Sequence, residues 1–243
     1  MRYFLIPARG GSKRILDKNL VDLGGAPLIQ WTIETAKTIH KEQPGSRLYV
    51  TSEDDKILDV AEGLGATPHK RPERLADDHA SMLDVVREFF KGHEDCTEIV
   101  LLFPTVPFRS AATLRTALQV FDQGTMEKRH TSLMSLGEHR GRPFGGVQIF
   151  NGKLGYSEMA EAYYRGQDTP VLYFANGSIF IMRREIVDEL NTQLFEKDTV
   201  PFVCHGIENL DIDTPFDLEV ARAWVAAGKA RLPGKSFATP ETA

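Results

Sequence analysis

The sequence predicts an α/β protein, a three-layer α/β/α sandwich around a mainly parallel, twisted sheet. Three observations predict it. Short apolar runs alternate with amphipathic stretches of helical spacing through the first half of the chain. The run Ile99–Phe103 is apolar throughout, as in a strand covered on both faces. A strand-then-helix rhythm also requires right-handed crossovers, which lay successive strands parallel.

The elements follow in order. Tyr3–Ile6 reads as a buried strand closed by Pro7, and a glycine-rich basic loop follows it. Ala26–Ile39 carries Leu28, Ile29, Ile33 and Ala36 near helical spacing, so a helix packs back on that strand. Leu48–Val50 is the next strand, and Lys56–Leu64 a helix stopped by Gly65. Ala80–Phe90 and Thr113–Phe121 are helical, on either side of the Ile99–Phe103 strand. The rhythm breaks near Ser135. Residues 138–168, rich in Gly, Arg and Tyr, form an excursion with short strands around Val147–Phe150. Val171–Phe174 and Ser178–Met182 read as two strands, Arg184–Leu190 as a helix, Asn209–Asp213 as a last strand and Phe216–Ala226 as a last helix. One domain over residues 1–227 and a frayed tail over 228–243 are the expected organisation.

Composition narrows the function. Of 243 residues 26% are charged and 42% hydrophobic, which excludes a disordered or collagen-like chain. The net charge of −5 argues against a dedicated nucleic-acid binder. That charge is unevenly spread: residues 1–18 carry +4 and the remainder −9. Two cysteines, Cys96 and Cys204, suit a reducing compartment. No apolar run is long enough to span a membrane, and the opening stretch is too short for a signal peptide. A cytoplasmic protein is expected.

Two segments carry chemistry. The loop Pro7–Arg14 sits where a strand's carboxyl end opens, the usual ligand position in open α/β sheets. Gly10 and Gly11 would let backbone N–H groups converge on an anion, and Arg9, Lys13, Arg14 and Lys18 add positive charge. The spacing matches neither GxxxxGK[ST] nor GxGxxG. A polyphosphate site and a solvated basic turn both fit this local chemistry. The second segment, Glu208–Glu219, holds five acids and no base. Strand alternation would put Asp211 and Asp213 on one face, where two carboxylates can share a divalent cation. An Asp-x-Asp by itself is a weak signal.

Taken with its neighbours, the opening resembles a known family. PARGGSKRILDKNL followed by GGAPLIQWTIETA is similar to the start of the acylneuraminate cytidylyltransferases, or CMP-sialic acid synthetases. The likeness continues through Arg71–Ser81, Leu102–Arg109, Asn176–Ile181 and Leu210–Thr214, nearly the whole chain to about residue 226. It implies a nucleotide-diphospho-sugar transferase-like fold, CTP and a nine-carbon 2-keto acid sugar as substrates, and Mg²⁺ (with Mn²⁺ as a substitute) as the metal. It further implies that Ala8, Arg9, Gly10, Gly11, Ser12, Lys18 and Asn19 hold the nucleotide, together with Arg71, Asp78, Ala80 and Ser81. Arg9, Lys18 and Asp211 become the catalytic candidates, and Asp211 and Asp213 the metal ligands. Phe103, Pro104, Thr105, Arg109, Arg165, Gln167, Asn176 and Gly177 become the sugar contacts, with Asn176 foremost. Residues 138–168 correspond to the part that makes relatives homodimers, with Tyr163 and Tyr164 as contacts.

The resemblance frays on the sugar side. Relatives usually have Gln at Phe103, Ser at Val106, and a second arginine at Gly166 that pairs with the sugar carboxylate. Arg165, Arg140 or Arg142 are the available substitutes. A more apolar pocket fits legionaminic or pseudaminic acid at least as well as N-acetylneuraminic acid. Other readings remain: a 3-deoxy-octulosonate cytidylyltransferase, a metal-dependent glycosyltransferase, and a nucleotide-binding module without turnover. His79 ranks as pocket lining, and Cys204 beside His205 gives no zinc pattern.

Overall fold

The computed structural model describes residues 1–77, 80–126, 130–138, 147–150, 153–156 and 171–234. A seven-stranded sheet forms the middle layer. Its first half is β1 (Arg2–Pro7), β2 (Arg47–Ser52), β3 (Thr67–Lys70) and β4 (Glu98–Leu101), all parallel. Its second half is β5 (Ser132–Glu138), β8 (Tyr173–Arg183) and β9 (Val200–Cys204). The spatial order is β3-β2-β1-β4-β8-β5-β9, and β8 runs against both its neighbours. A separate hairpin, β6 (Val147–Phe150) and β7 (Lys153–Tyr156), lies in the predicted excursion.

The sheet is apolar on both faces because it is covered on both. Along β1, Phe4 and Ile6 face α1 (Leu28–His40), α2 (Asp55–Gly63) and α4 (Ala111–Met126). Tyr3 and Leu5 point the other way, against α3 (Met82–Gly92) and the segment 186–194. This period-two division of an unbroken apolar run is what the Ile99–Phe103 pattern predicted. A third cluster joins Trp31, Phe108 and Ile212 to Leu218 and Ala221 of α5 (Pro215–Ala226). The helix starts are chemically marked. Asp54 accepts from the Lys56 amide, Ser81 from the Asp84 amide, and Thr214 and Asp217 form a capping box behind Pro215. Each such cap stabilises its helix by about 1 kcal/mol.

Four expectations need correction. The segments Val171–Phe174 and Ser178–Met182 belong to one strand, β8, whose pairing with β5 shifts register between Met134 and Leu136. A bulge at Asn176–Gly177, with Gly177 at φ +69°, accounts for the apparent break. Arg184–Leu190 is no helix but a single 3-10 turn, Arg184–Ile186, followed by further turns. Asn209–Asp213 is no strand; it leaves a 3-10 turn and runs extended, tied by the Ile212 amide to the Thr105 carbonyl at 2.8 Å. Strands β3, β5 and β9 were not expected. β3 is a polar edge of sequence TPHK, β9 an edge holding Pro201, and β5 begins before the presumed end of the pattern.

Candidate active site

A cavity of about 510 Å³ opens beyond the carboxyl ends of β1 and β4. Its walls come from the loop after β1, residues of 71–77 and 80–85, the turn Phe103–Thr105, and Asp213. β1 reaches this opening at Pro7 and β4 at Leu101, and side chains of the loops that follow them line it.

On the basic side, Ala8, Arg9, Ser12, Lys13, Arg14, Lys18 and Asn19 all line the cavity. The expected cradle of glycine amides loses one of its two members, Gly10, to a protein acceptor. The Gly10 N–H donates to Glu53 Oε1 at 2.7 Å, and the Ser12 N–H to the Gly10 carbonyl at 2.8 Å. Gly10 is needed for close packing: a Cβ there would lie 2.2 Å from Asp54 Oδ2, whereas Gly11 faces open space. Asn19 is buried, and its Nδ2 holds the Arg9 carbonyl at 2.9 Å while its Oδ1 has no hydrogen-bond partner. A buried acceptor left open on a cavity wall suits a donor on a ligand. Arg71 is also buried; it lines the cavity while paired to Glu53 at 2.8 Å.

The acidic side resolves into distinct tasks. Glu208 accepts from the Ser110 amide and the Thr113 hydroxyl at the start of α4, and Asp217 caps α5. The Asp211 and Asp213 side chains cap no helix; Asp211 accepts from Thr105 and Asp213 from Lys18. Lys18 Nζ donates to Asp213 Oδ1 at 2.9 Å and to the Ile212 carbonyl at 3.0 Å. The two oppositely charged segments therefore meet at the cavity. Asp211 is largely buried, and its Oδ1 has no partner. Burial pushes the Asp211 carboxyl above its ordinary range, opposed by a hydrogen bond from Thr105 and reinforced by the nearby Asp213. An orphaned buried carboxylate oxygen beside a second, half-exposed carboxylate fits a hard divalent cation with oxygen ligands. Among the described residues, no group of three His, Cys, Asp or Glu side chains could hold a metal, so substrate oxygens and water would complete the shell.

The predicted sugar side is divided. Phe103, Pro104 and Thr105 line the cavity. Arg109 does not. It is 1% exposed, and its guanidinium donates to the carbonyls of Ser178 (2.7 Å) and Phe103 (3.1 Å), which makes it a strut under the Phe103–Phe108 turn. Burial lowers its pKa to about 9, so it stays cationic at neutral pH. Asn176 is likewise spent inside: its Oδ1 accepts from Ser135 Oγ at 2.6 Å and the Ser178 amide at 3.0 Å, and its Nδ2 donates to Asn209 at 2.7 Å. Gly177 closes on Phe103, where a Cβ would lie 3.1 Å from the ring, so the bulge of β8 backs the cavity wall. Ser81 caps α3, while Ala80 lines the cavity with its amide on Asp77 Oδ1 at 2.8 Å. Asp78, His79, Arg140, Arg142, Tyr163, Tyr164, Arg165, Gly166 and Gln167 lie outside the described residues. Sequence reasoning missed Glu53, Met82 and Val85. Glu53 follows a strand end as the basic loop does, and that position was its only signal.

Residues 3–226 match the family described as cytidylyltransferase. The chain is 31% identical over 219 residues to a CMP-N,N'-diacetyllegionaminic acid synthase of Legionella pneumophila, covering 88% of this chain and 91% of that protein. It is 29% identical over 217 residues to an N-acylneuraminate cytidylyltransferase of Streptococcus agalactiae, covering 88% of this chain and 50% of that one. The chain thus spans about half the length of that relative. Among solved structures, a CMP:2-keto-3-deoxy-manno-octonic acid synthetase complexed with CTP superposes with a TM-score of 0.67 at 20% identity, over 93% of this chain and 99% of that one. At that identity the likeness concerns the fold.

Proposed function

The chain belongs to the cytidylyltransferase family, and on that premise we propose that it activates a nine-carbon 2-keto acid sugar with CTP. The anomeric hydroxyl oxygen of the sugar attacks the α-phosphorus, its proton passes to solvent, and the bond to pyrophosphate breaks. The products are the CMP-sugar and pyrophosphate. The observation that carries this reading is the meeting of Lys18 with Asp213 at 2.9 Å on the wall of one cavity.

In this reading Arg9, Ser12 and Lys18 hold the triphosphate, with Lys18 as the point charge nearest the departing pyrophosphate. Lys18 leaves Asp213 for the phosphates when substrate arrives. The open Oδ1 of Asn19 accepts from the nucleoside. Asp211 and Asp213 would hold Mg²⁺ (or Mn²⁺), which supplies charge neutralisation at the phosphate oxygens when bound. Positioning and electrostatics dominate such a transfer, and no side-chain general base is required of this site. Phe103 with its neighbours Met82 and Val85 gives the cavity an apolar side. That supports an acceptor with deoxy and acylamino groups, of the legionaminic or pseudaminic type. The relatives' names support the nine-carbon class over an octulosonate.

We take the enzyme as a cytoplasmic homodimer that needs neither nucleic acid nor membrane; among the described residues no helix is long and apolar enough to cross one. Pyrophosphate release is the test. Release that requires CTP, Mg²⁺ and a nonulosonic acid together is expected. CTP binding without release for any keto sugar would reduce the protein to a binding module, and a clear preference for N-acetylneuraminic acid would refute the apolar-acceptor assignment.

A further inference from the structure

We propose that Glu53 is a positioning residue for nucleotide binding, acting through Gly10 and Arg71; the inference rests on the CTP reading above. Glu53 stands just after β2 and faces the loop after β1. Its two carboxylate oxygens do different things. Oε1 accepts the Gly10 N–H at 2.7 Å. Oε2 accepts Arg71 Nη2 at 2.8 Å and Nε at 3.2 Å. Arg71 Nη2 reaches on to the Ala8 carbonyl at 3.2 Å, and Lys70 Nζ holds the Glu53 carbonyl at 2.7 Å. One carboxylate therefore clasps the chain ends that leave β1, β2 and β3.

This placement is unusual chemistry for a loop that receives a triphosphate. A glycine amide there would ordinarily be left for the phosphate, yet here a carboxylate has taken it. Two consequences follow. The loop is fixed before any ligand arrives, seated so closely on Asp54 that Gly10 has no room for a methyl group. A loop already ordered gives up less conformational freedom on binding, which appears as affinity. Glu53 also balances Arg71, which is 5% exposed and would otherwise be a nearly buried cation without a counter-charge. The positive field of the cavity then comes from the loop itself, and Arg71 becomes a fixed wall.

The prediction is specific to the nucleotide. Glu53→Gln keeps the size but offers a single acceptor oxygen, so it cannot serve both Gly10 and Arg71. CTP dissociation and KM for CTP are expected to rise about tenfold or more. The kcat at saturating CTP should stay within about threefold and KM for the sugar should not move, since Glu53 touches neither. Glu53→Asp keeps the charge on Arg71 but is one methylene short of Gly10, and should recover part of the affinity.

The experiment is isothermal titration of CTP with Mg²⁺ into the full-length wild type and both variants, with melting temperature and steady-state kinetics alongside. Wild type that fails to bind CTP overturns the cytidylyltransferase reading and this inference with it. Wild type that binds, with Glu53→Gln binding equally well, overturns the inference alone. So does a fall in kcat with KM for CTP unchanged. Should Glu53→Gln not fold, Glu53→Asp decides: weaker CTP binding supports the clasp, and unchanged binding overturns it.

Discussion

Lys18 and Asp213 lie 195 positions apart in the chain and 2.9 Å apart in the fold, so two charges that sequence could only tabulate become one contact. Beside them Asp211 holds a carboxylate in a place that disfavours charge. Such a residue is retained against stability, which makes its replacement informative. Asp211→Asn should lower turnover by at least about 100-fold. The melting temperature at neutral pH should stay the same or rise, because the amide removes a buried charge; a large loss of stability would mean that Asp211 is structural. Arg109 should behave oppositely. Arg109→Ala leaves the Ser178 and Phe103 carbonyls without their donor and opens a void, which costs about 3 kcal/mol or more. CTP affinity of the folded fraction should stay near wild type. At this scale the sequence revealed which residue types gather, but not which way they turn. Arg109, Asn176 and Gly10 sit in the right segments, yet their polar groups are spent on protein partners rather than on the cavity.

Helices were easier to read than strands because an amphipathic stripe and its caps are local. The apolar stripe of α3 is Val85, Val86, Phe89 and Phe90, and the start of α5 carries the cap Thr214, Pro215 and Asp217. Edge strands carry no such local mark. β3 reads TPHK because only its neighbours make it a strand, and β8 looked broken because its bulge is visible only against β5. β3 nevertheless brings a titratable group inside. The His69 ring packs against Phe89 at 4.9 Å and His93 at 5.4 Å, with Nδ1 on the Thr51 hydroxyl at 2.9 Å. Burial first, then the facing His93 and Arg71, lowers its pKa from 6.5 to about 4, against a smaller opposing pull from Glu88. A folded pKa below the unfolded one means that the unfolded chain takes up the proton first. The stabilisation is whole above about pH 6.5 and is lost as pH falls towards 4. His69→Gln should therefore show a smaller drop in melting temperature between about pH 7 and pH 5 than wild type does. Equal drops would show that His69 does not set the acid limit.

For the whole molecule, the net charge of −5 hides two opposite local concentrations, the +4 of residues 1–18 and the five acids of Glu208–Glu219, and the fold brings them together at Lys18 and Asp213 on one opening. The α/β layering was legible because a parallel sheet must be apolar on both faces. The convergence of residues 9–18 with 211–213 was legible only through family resemblance, since no local rule brings the two ends of a chain together. The loop bearing the aspartates is tied by the backbone bond from Ile212 to Thr105 rather than by a ladder, so periodicity could not have found it. The central claim is that one site joins a triphosphate-binding loop to a metal-binding acidic pair. The most direct measurement is isothermal titration of CTP into the intact protein with and without Mg²⁺, repeated on the Asp211→Asn/Asp213→Asn double variant. Mg²⁺ should tighten CTP binding at least about tenfold in wild type, a coupling of about 1.4 kcal/mol, and have no effect in the variant. CTP binding that is indifferent to Mg²⁺, or coupling that survives without both aspartates, would contradict it.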